Sequence, residues 1–160
     1  MAIQTSRTIA LAMFQYSNDH EDHYPDGESS TEVFQKLIDQ SYITDPTLFY
    51  FPMPGKIPAP TKYLKPENVC FDVTGGLVSS DSDSLPLVFS TGYQVDYAPD
   101  GKARPLKNPS FEGVGIAVCY LSNSAKFVLA QAGTVPLINS NFDPKGKTYR
   151  QLTPDGVLPR

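Results

Sequence analysis

The sequence predicts an α+β domain: a long N-terminal helix packed on a small antiparallel sheet, with extensive loops. Three observations carry that expectation. Apolar residues recur at helical spacing near the start, Ile3, Ala10 and Phe14 on one line and Ile9, Met13 and Tyr16 on another. Further on, Val114 to Leu121 (VGIAVCYL) and Ala125 to Ala130 (AKFVLA) flank Ser122-Asn123-Ser124 in the manner of a β-hairpin. Fifteen prolines in 160 residues, about twice ordinary usage, hold much of the rest in loops, turns and edges, because proline fits neither a helix interior nor a central strand.

The first helix is expected from about Ile3 to Asp19 or His20. It opens in mid-helix with no N-terminal cap, as the lower half of a longer helix would. Helical projection leaves a narrow polar strip of Gln4, Thr8, Gln15 and Asp19 and two apolar faces about 110° apart. One face serves a sheet; the other needs a partner. Pro25 disfavours helix at Tyr24, and Asp26-Gly27 is a turn pair. Ser29 with Glu32 forms a capping box for a short helix over 29–40, with Val33, Phe34, Leu37 and Ile38 as its buried stripe.

Asp45-Pro46 starts a turn, and Leu48 to Phe51 is a short apolar anchor. Met53 to Pro66 is loop by composition. Asn68 to Val73 and Leu85 to Thr91 are strands separated by a polar tip, and Gly92 to Pro109 is a turn-rich excursion. The chain thus divides into helix (1–20), second helix (29–40), sheet region (68–130) and a turn-rich C-terminal segment (131–160), all in one domain without internal repeats.

Composition excludes some functions. A net charge of -4 with no basic run makes nucleic acid an unexpected partner. No apolar run reaches the roughly 18 residues that cross a bilayer, and Ser6 and Arg7 interrupt any signal-peptide pattern. Cys70 and Cys119 both lie in apolar surroundings. They are either buried small hydrophobes or a disulfide pinning the middle loop to the late strand. Neither has a second metal ligand at zinc-finger spacing.

The densest ligand-like cluster is Asp19-His20-Glu21-Asp22-His23. His20 and His23 are weak metal candidates that need a third ligand from elsewhere; the ordinary reading is a solvated helix end. Asp81 and Asp83, in a Ser-rich loop, are weak calcium candidates without EF-hand spacing, and the ordinary reading is an exposed tip. There is no nucleophile elbow, P-loop or dinucleotide fingerprint. Gly113-Val114-Gly115 reads as a bend or bulge entering a strand. Cys119 with a histidine is a conceivable nucleophile, but a mid-strand thiol is inert. The expectation is therefore no enzyme and no cofactor, with calcium at Asp81 and Asp83 and a zinc or iron ion at His20 and His23 as the alternatives, the latter being the one route to a metal-dependent enzyme.

Ser6 to Pro25 (SRTIALAMFQYSNDHEDHYP) resembles the helix-to-loop junction of type IV pilin-like proteins, above all the type II secretion pseudopilins. Tyr42 to Pro52 is similar to the segment leaving the second helix, with Phe51-Pro52 where many relatives have Cys-Pro. Leu85 to Ser90 and Gly113 to Phe127 resemble the terminal sheet. The hydrophobic half-helix and prepilin cleavage site of the family are absent from this sequence. So are the Asp-Gly turn of the last hairpin and the Trp-Gly calcium-loop region, and the family's calcium site does not carry over.

The resemblance implies a structural subunit of a type II secretion or type IV pilus-like apparatus in the cell envelope. Its partners would be other pilin-like subunits and secretion-machinery proteins, and it would meet the membrane only through an upstream segment. One helix face would cover the sheet and the other a neighbouring subunit. Ile9, Met13 and Tyr16 form the assembly interface and Ile3, Ala10, Leu11 and Phe14 cover the sheet, or the two faces are exchanged. The alternative is an extracytoplasmic ligand-binding module on the same fold, using the loops Met53 to Pro66 and Gly92 to Pro109 with Tyr63, Tyr93 and Tyr97 as contacts.

Overall fold

The computed structural model describes residues 2–158. Helix α1 spans Ala2–Asp19, free of Gly and Pro. Ser6 and Ser17 point inward on it, and each hydroxyl donates to a carbonyl one turn back, Ile3 at 2.7 Å and Phe14 at 2.6 Å. This lets small polar residues lie against the sheet with their hydrogen bonds made. The helix stops where Glu21 and Asp22 adopt positive φ (55° and 66°), and the Asp22 N–H donates back to the Ser17 carbonyl at 2.8 Å. The chain then runs beside the 77–79 segment through Tyr24 N–H to Leu77 O, 3.0 Å.

Helix α2 spans Ser30–Asp39. Ser29 caps it in extended conformation, its hydroxyl accepting from the Glu32 N–H at 3.0 Å. The Glu32 carboxylate reaches back to the N–H of Glu28 instead of Ser29, so only the first arm of the expected box forms as anticipated. Val33, Phe34, Leu37 and Ile38 are buried as the stripe requires, and Phe34 stacks on Phe49 of the following anchor, centroids 4.4 Å apart.

Six antiparallel strands form the main sheet in the order β6-β5-β2-β1-β8-β9. They are β1 (Phe71–Gly75), β2 (Pro86–Ser90), β5 (Gly115–Tyr120), β6 (Ala125–Leu129), β8 (Arg150–Thr153) and β9 (Gly156–Val157). Helix α1 lies over β2, β5 and β6, and α2 over β1 and β8. A second, three-stranded sheet of β3 (Tyr93–Val95), β4 (Lys102–Pro105) and β7 (Val135–Pro136), ordered β3-β4-β7, adds to the core. Every residue of β1, β2 and β5 is buried, because these central strands are covered on both faces.

The architecture is therefore α+β, with two departures from expectation. The excursion over 92–109 holds a short hairpin, and the sheet extends past residue 130, since β8 from the C-terminal segment pairs with β1 through Val73↔Leu152 and Thr74↔Gln151. Gly115 marks a close approach at the start of β5. A Cβ there would lie 2.4 Å from the Val128 carbonyl oxygen and 2.6 Å from the Phe127 ring.

The disulfide alternative does not hold. Cys70 and Cys119 are both buried and free. The Thr91 N–H donates to the Cys70 carbonyl, and Cys119 opposes Val88. The two thiols are thus two strands over and three residues along, about 14 Å by sheet geometry against the roughly 7 Å a disulfide tolerates.

Candidate functional site

The two helix faces are distinct. Ile9 and Met13 are fully buried, with Ala10 and Ala12 beside them. Leu11 and Phe14 stand outward, 44% and 46% exposed. The placement of Ile9 and Met13 on an outward face is corrected: they belong to the domain's own core together with Ala10, whereas Leu11 and Phe14 do not cover the sheet but stand away from it. The physical reason is the serine spacing. Ser6, Ile9, Ala10, Met13 and Ser17 share one side of the helix, and their small members allow close approach to β5. Tyr16, half buried, lies at the edge between the faces; its ring stacks on His20 at 3.6 Å and tilts against Tyr42.

Leu11 and Phe14 border an apolar groove of about 260 Å³ whose other wall is Leu87, Tyr120 and Leu121. The groove joins helix and sheet into one continuous surface.

The metal candidates do not converge. His20 is held against Tyr16, its Nδ1 at 2.7 Å from the Tyr16 carbonyl. His23 is exposed and bridges to Val78. Asp81 is occupied on both oxygens, Oδ1 by Lys147 Nζ at 2.6 Å and Oδ2 by the Val78 N–H at 2.9 Å. Asp83 is exposed. Among the described residues no three His, Cys, Asp or Glu side chains lie where they can hold an ion together. Asp19 instead accepts from the Tyr42 hydroxyl at 2.5 Å, a bond that pushes the Tyr42 phenol up to about 12.

The most unusual group was not singled out by sequence reasoning. Asp72 is the second residue of β1 and is fully buried. Its Oδ2 accepts from Gln151 Nε2 at 2.8 Å. Among the described residues none hydrogen-bonds Oδ1. Burial pushes its pKa up to about 7, against the lowering effect of Thr91, Gln151 and Lys56. The signal was legible: one acid within the apolar run NVCFDV.

Asp72 lies at a cleft of about 470 Å³ to which Met53, Lys56, Gly92, Leu106 and Lys107 also contribute. Both loops of the ligand-module alternative therefore meet at one place. Their tyrosines do not serve it: Tyr93 and Tyr97 are buried, and Tyr63, 69% exposed, lies elsewhere on the surface. No helix among the described residues is long and apolar enough to cross a membrane. No protein-family model matches the chain, and no curated protein or solved structure is similar to it at a significant level.

Proposed function

We propose that this domain is a pilin-like structural subunit of a type II secretion or type IV pilus-like apparatus. It assembles with like subunits through the outward face of α1 and carries out no catalysis of its own. The observation that carries this reading is the half-exposed pair Leu11 and Phe14 beside the Leu87–Tyr120 groove. The core face of α1 is already filled by Ile9, Ala10 and Met13, so a second apolar stripe on the same helix serves contact with something outside the domain. The junction sequence Ser6 to Pro25 and the helix-on-antiparallel-sheet arrangement point the same way. On this reading the domain works in the cell envelope, among other pilin-like subunits and secretion-machinery proteins.

The test is cross-linking in cells from a cysteine placed by Phe14→Cys, since both native thiols are buried. The expected result is a ladder of adducts with pilin-like neighbours in the envelope fraction. Phe14→Glu is expected to abolish assembly while thermal unfolding stays near that of the parent. Undiminished assembly of Phe14→Glu, or a folded protein recovered away from the envelope without adducts, overturns the proposal.

A further inference from the structure

The cleft beside Asp72 is independent of the assembly face and has the character of a small-molecule site. Its volume of about 470 Å³ lies within the range of such pockets. It holds two acids, Asp72 and Asp155, and two bases, Lys56 and Lys107. Met53, Pro54, Leu106 and Val157 supply aliphatic surface, and no aromatic side chain lines it. Lys56 is held by donating from Nζ to the Pro66 carbonyl at 2.9 Å, whereas the exposed Lys107 makes no side-chain hydrogen bond or ion pair with the described residues.

The decisive group is the Asp72 carboxyl. A buried carboxylate oxygen without a hydrogen-bond partner is costly, and such a group persists where something outside the fold satisfies it. Oδ2 is spent on the fold through Gln151, whereas Oδ1 has no hydrogen-bond partner among the described residues.

The charges narrow the ligand. A bare organic cation would meet the ammonium groups of Lys56 and Lys107, and a bare anion would meet Asp72 and Asp155. A sugar would find no aromatic platform. A molecule carrying one charge of each sign on an aliphatic body matches all four groups and the walls.

We propose that this cleft binds a free aliphatic amino acid, its ammonium donating to Asp72 Oδ1, its carboxylate paired with Lys107 and its side chain against Met53 and Leu106. Oδ1 is closed to solvent, and the backbone around it is fixed, the Leu106 N–H donating to the Gly92 carbonyl at 2.8 Å and the Lys56 N–H to the Met53 carbonyl at 3.2 Å, so the ligand enters as the Met53 and Leu106 side chains move aside.

The experiment is an amide-resolved NMR titration of the full 160-residue chain with L-leucine, its methyl ester (cation only) and 4-methylpentanoate (anion only). The expected result is saturable shifts at Thr91, Gly92, Asn108 and Asp155 with L-leucine at millimolar concentration or below, and binding weaker by about tenfold or more for each analogue. Asp72→Asn, which keeps the shape and can still accept from Gln151, is expected to lose binding. Lys107→Ala, an exposed change that leaves the core intact, is expected to weaken it by about tenfold. Absence of saturable shifts with L-leucine, equal affinity for the ester or the acid, or unchanged affinity in both variants overturns the proposal. Loss of assembly by Phe14→Glu with binding retained would separate this site from the assembly face.

Discussion

Gln151 donates from Nε2 both to Asp72 Oδ2 at 2.8 Å and to the Tyr93 carbonyl at 2.6 Å, while its Oε1 accepts from the Val95 N–H at 2.8 Å. One amide side chain thus ties strand β1 to strand β3 and joins the two sheets around a buried acid. Folding raises the Asp72 pKa from 3.8 to about 7, so the unfolded chain gives up this proton first. The stability Asp72 permits is complete below about pH 4, declines by about 1.4 kcal/mol per pH unit toward pH 7, and levels off above it. Asp72→Asn is expected to flatten that decline and to raise the unfolding midpoint at pH 8. Urea titrations of both proteins across this range check it; parallel curves would refute it.

Met13 and Phe14 are neighbours in sequence with opposite fates. Met13 is fully buried and Phe14 is 46% exposed. Met13→Ala is expected to cost about 2–5 kcal/mol, and Met13→Glu to abolish the cooperative transition by burying an unpaired charge. Phe14→Glu is expected to change stability by about 0.5 kcal/mol or less. Circular dichroism melts of the three variants decide it.

Gly115→Ala places a methyl group against the backbone of β6, 2.4 Å from the Val128 oxygen. Neither strand can yield without breaking the pairing of Gly115 with Leu129. A loss of about 2–3 kcal/mol is expected, at the upper end of ordinary overpacking, measured by denaturant unfolding.

Both thiols are shielded. Burial pushes Cys119 up to about 11 and raises Cys70 as well, so little thiolate is present at neutral pH. A thiol-reactive disulfide reagent is expected to leave the native protein untouched and to titrate two thiols in guanidinium. Reducing agent is expected to leave the melting temperature unchanged; a downward shift would reveal a disulfide.

Arg150 Nη2 lies 2.6 Å from each Asp26 carboxylate oxygen, and Nη1 reaches the Gly27 carbonyl. The pair is about two-fifths exposed, which limits its worth through solvent screening. Arg150→Met is expected to cost about 1 kcal/mol, with faster amide exchange in β8 and in the Asp26-Gly27 turn as the distinguishing sign.

The elements with strong periodicity or end signals were legible in the sequence: α1 to within a residue, α2 with its Ser29 cap, and the β5–β6 hairpin, while of the anchor expected over Leu48 to Phe51 only Leu48 and Phe49 fall in the helical turn Pro46–Phe49. What escaped was set by distant partners. Strand β8 is only four residues long, and its polar Gln151 is buried because Asp72, Tyr93 and Val95 await it across the sheets. The β3–β4 hairpin is equally short and lies in a stretch whose Asp100-Gly101 reads as open turn. The outward helix face had the same limit, since two apolar stripes on one helix look alike until Ser6 and Ser17 are seen tucked against the sheet.

The place of β8 has a consequence for how the chain is made. Strand β1 emerges from the ribosome about eighty residues before the strand that flanks it. Until Gln151 arrives, the Asp72 side chain and one edge of β1 have no partner, and that edge offers unpaired amides and carbonyls to other chains. The domain therefore becomes safe from edge-to-edge association only when synthesis has passed residue 157, and any stall or truncation before β8 is expected to yield a species prone to aggregate.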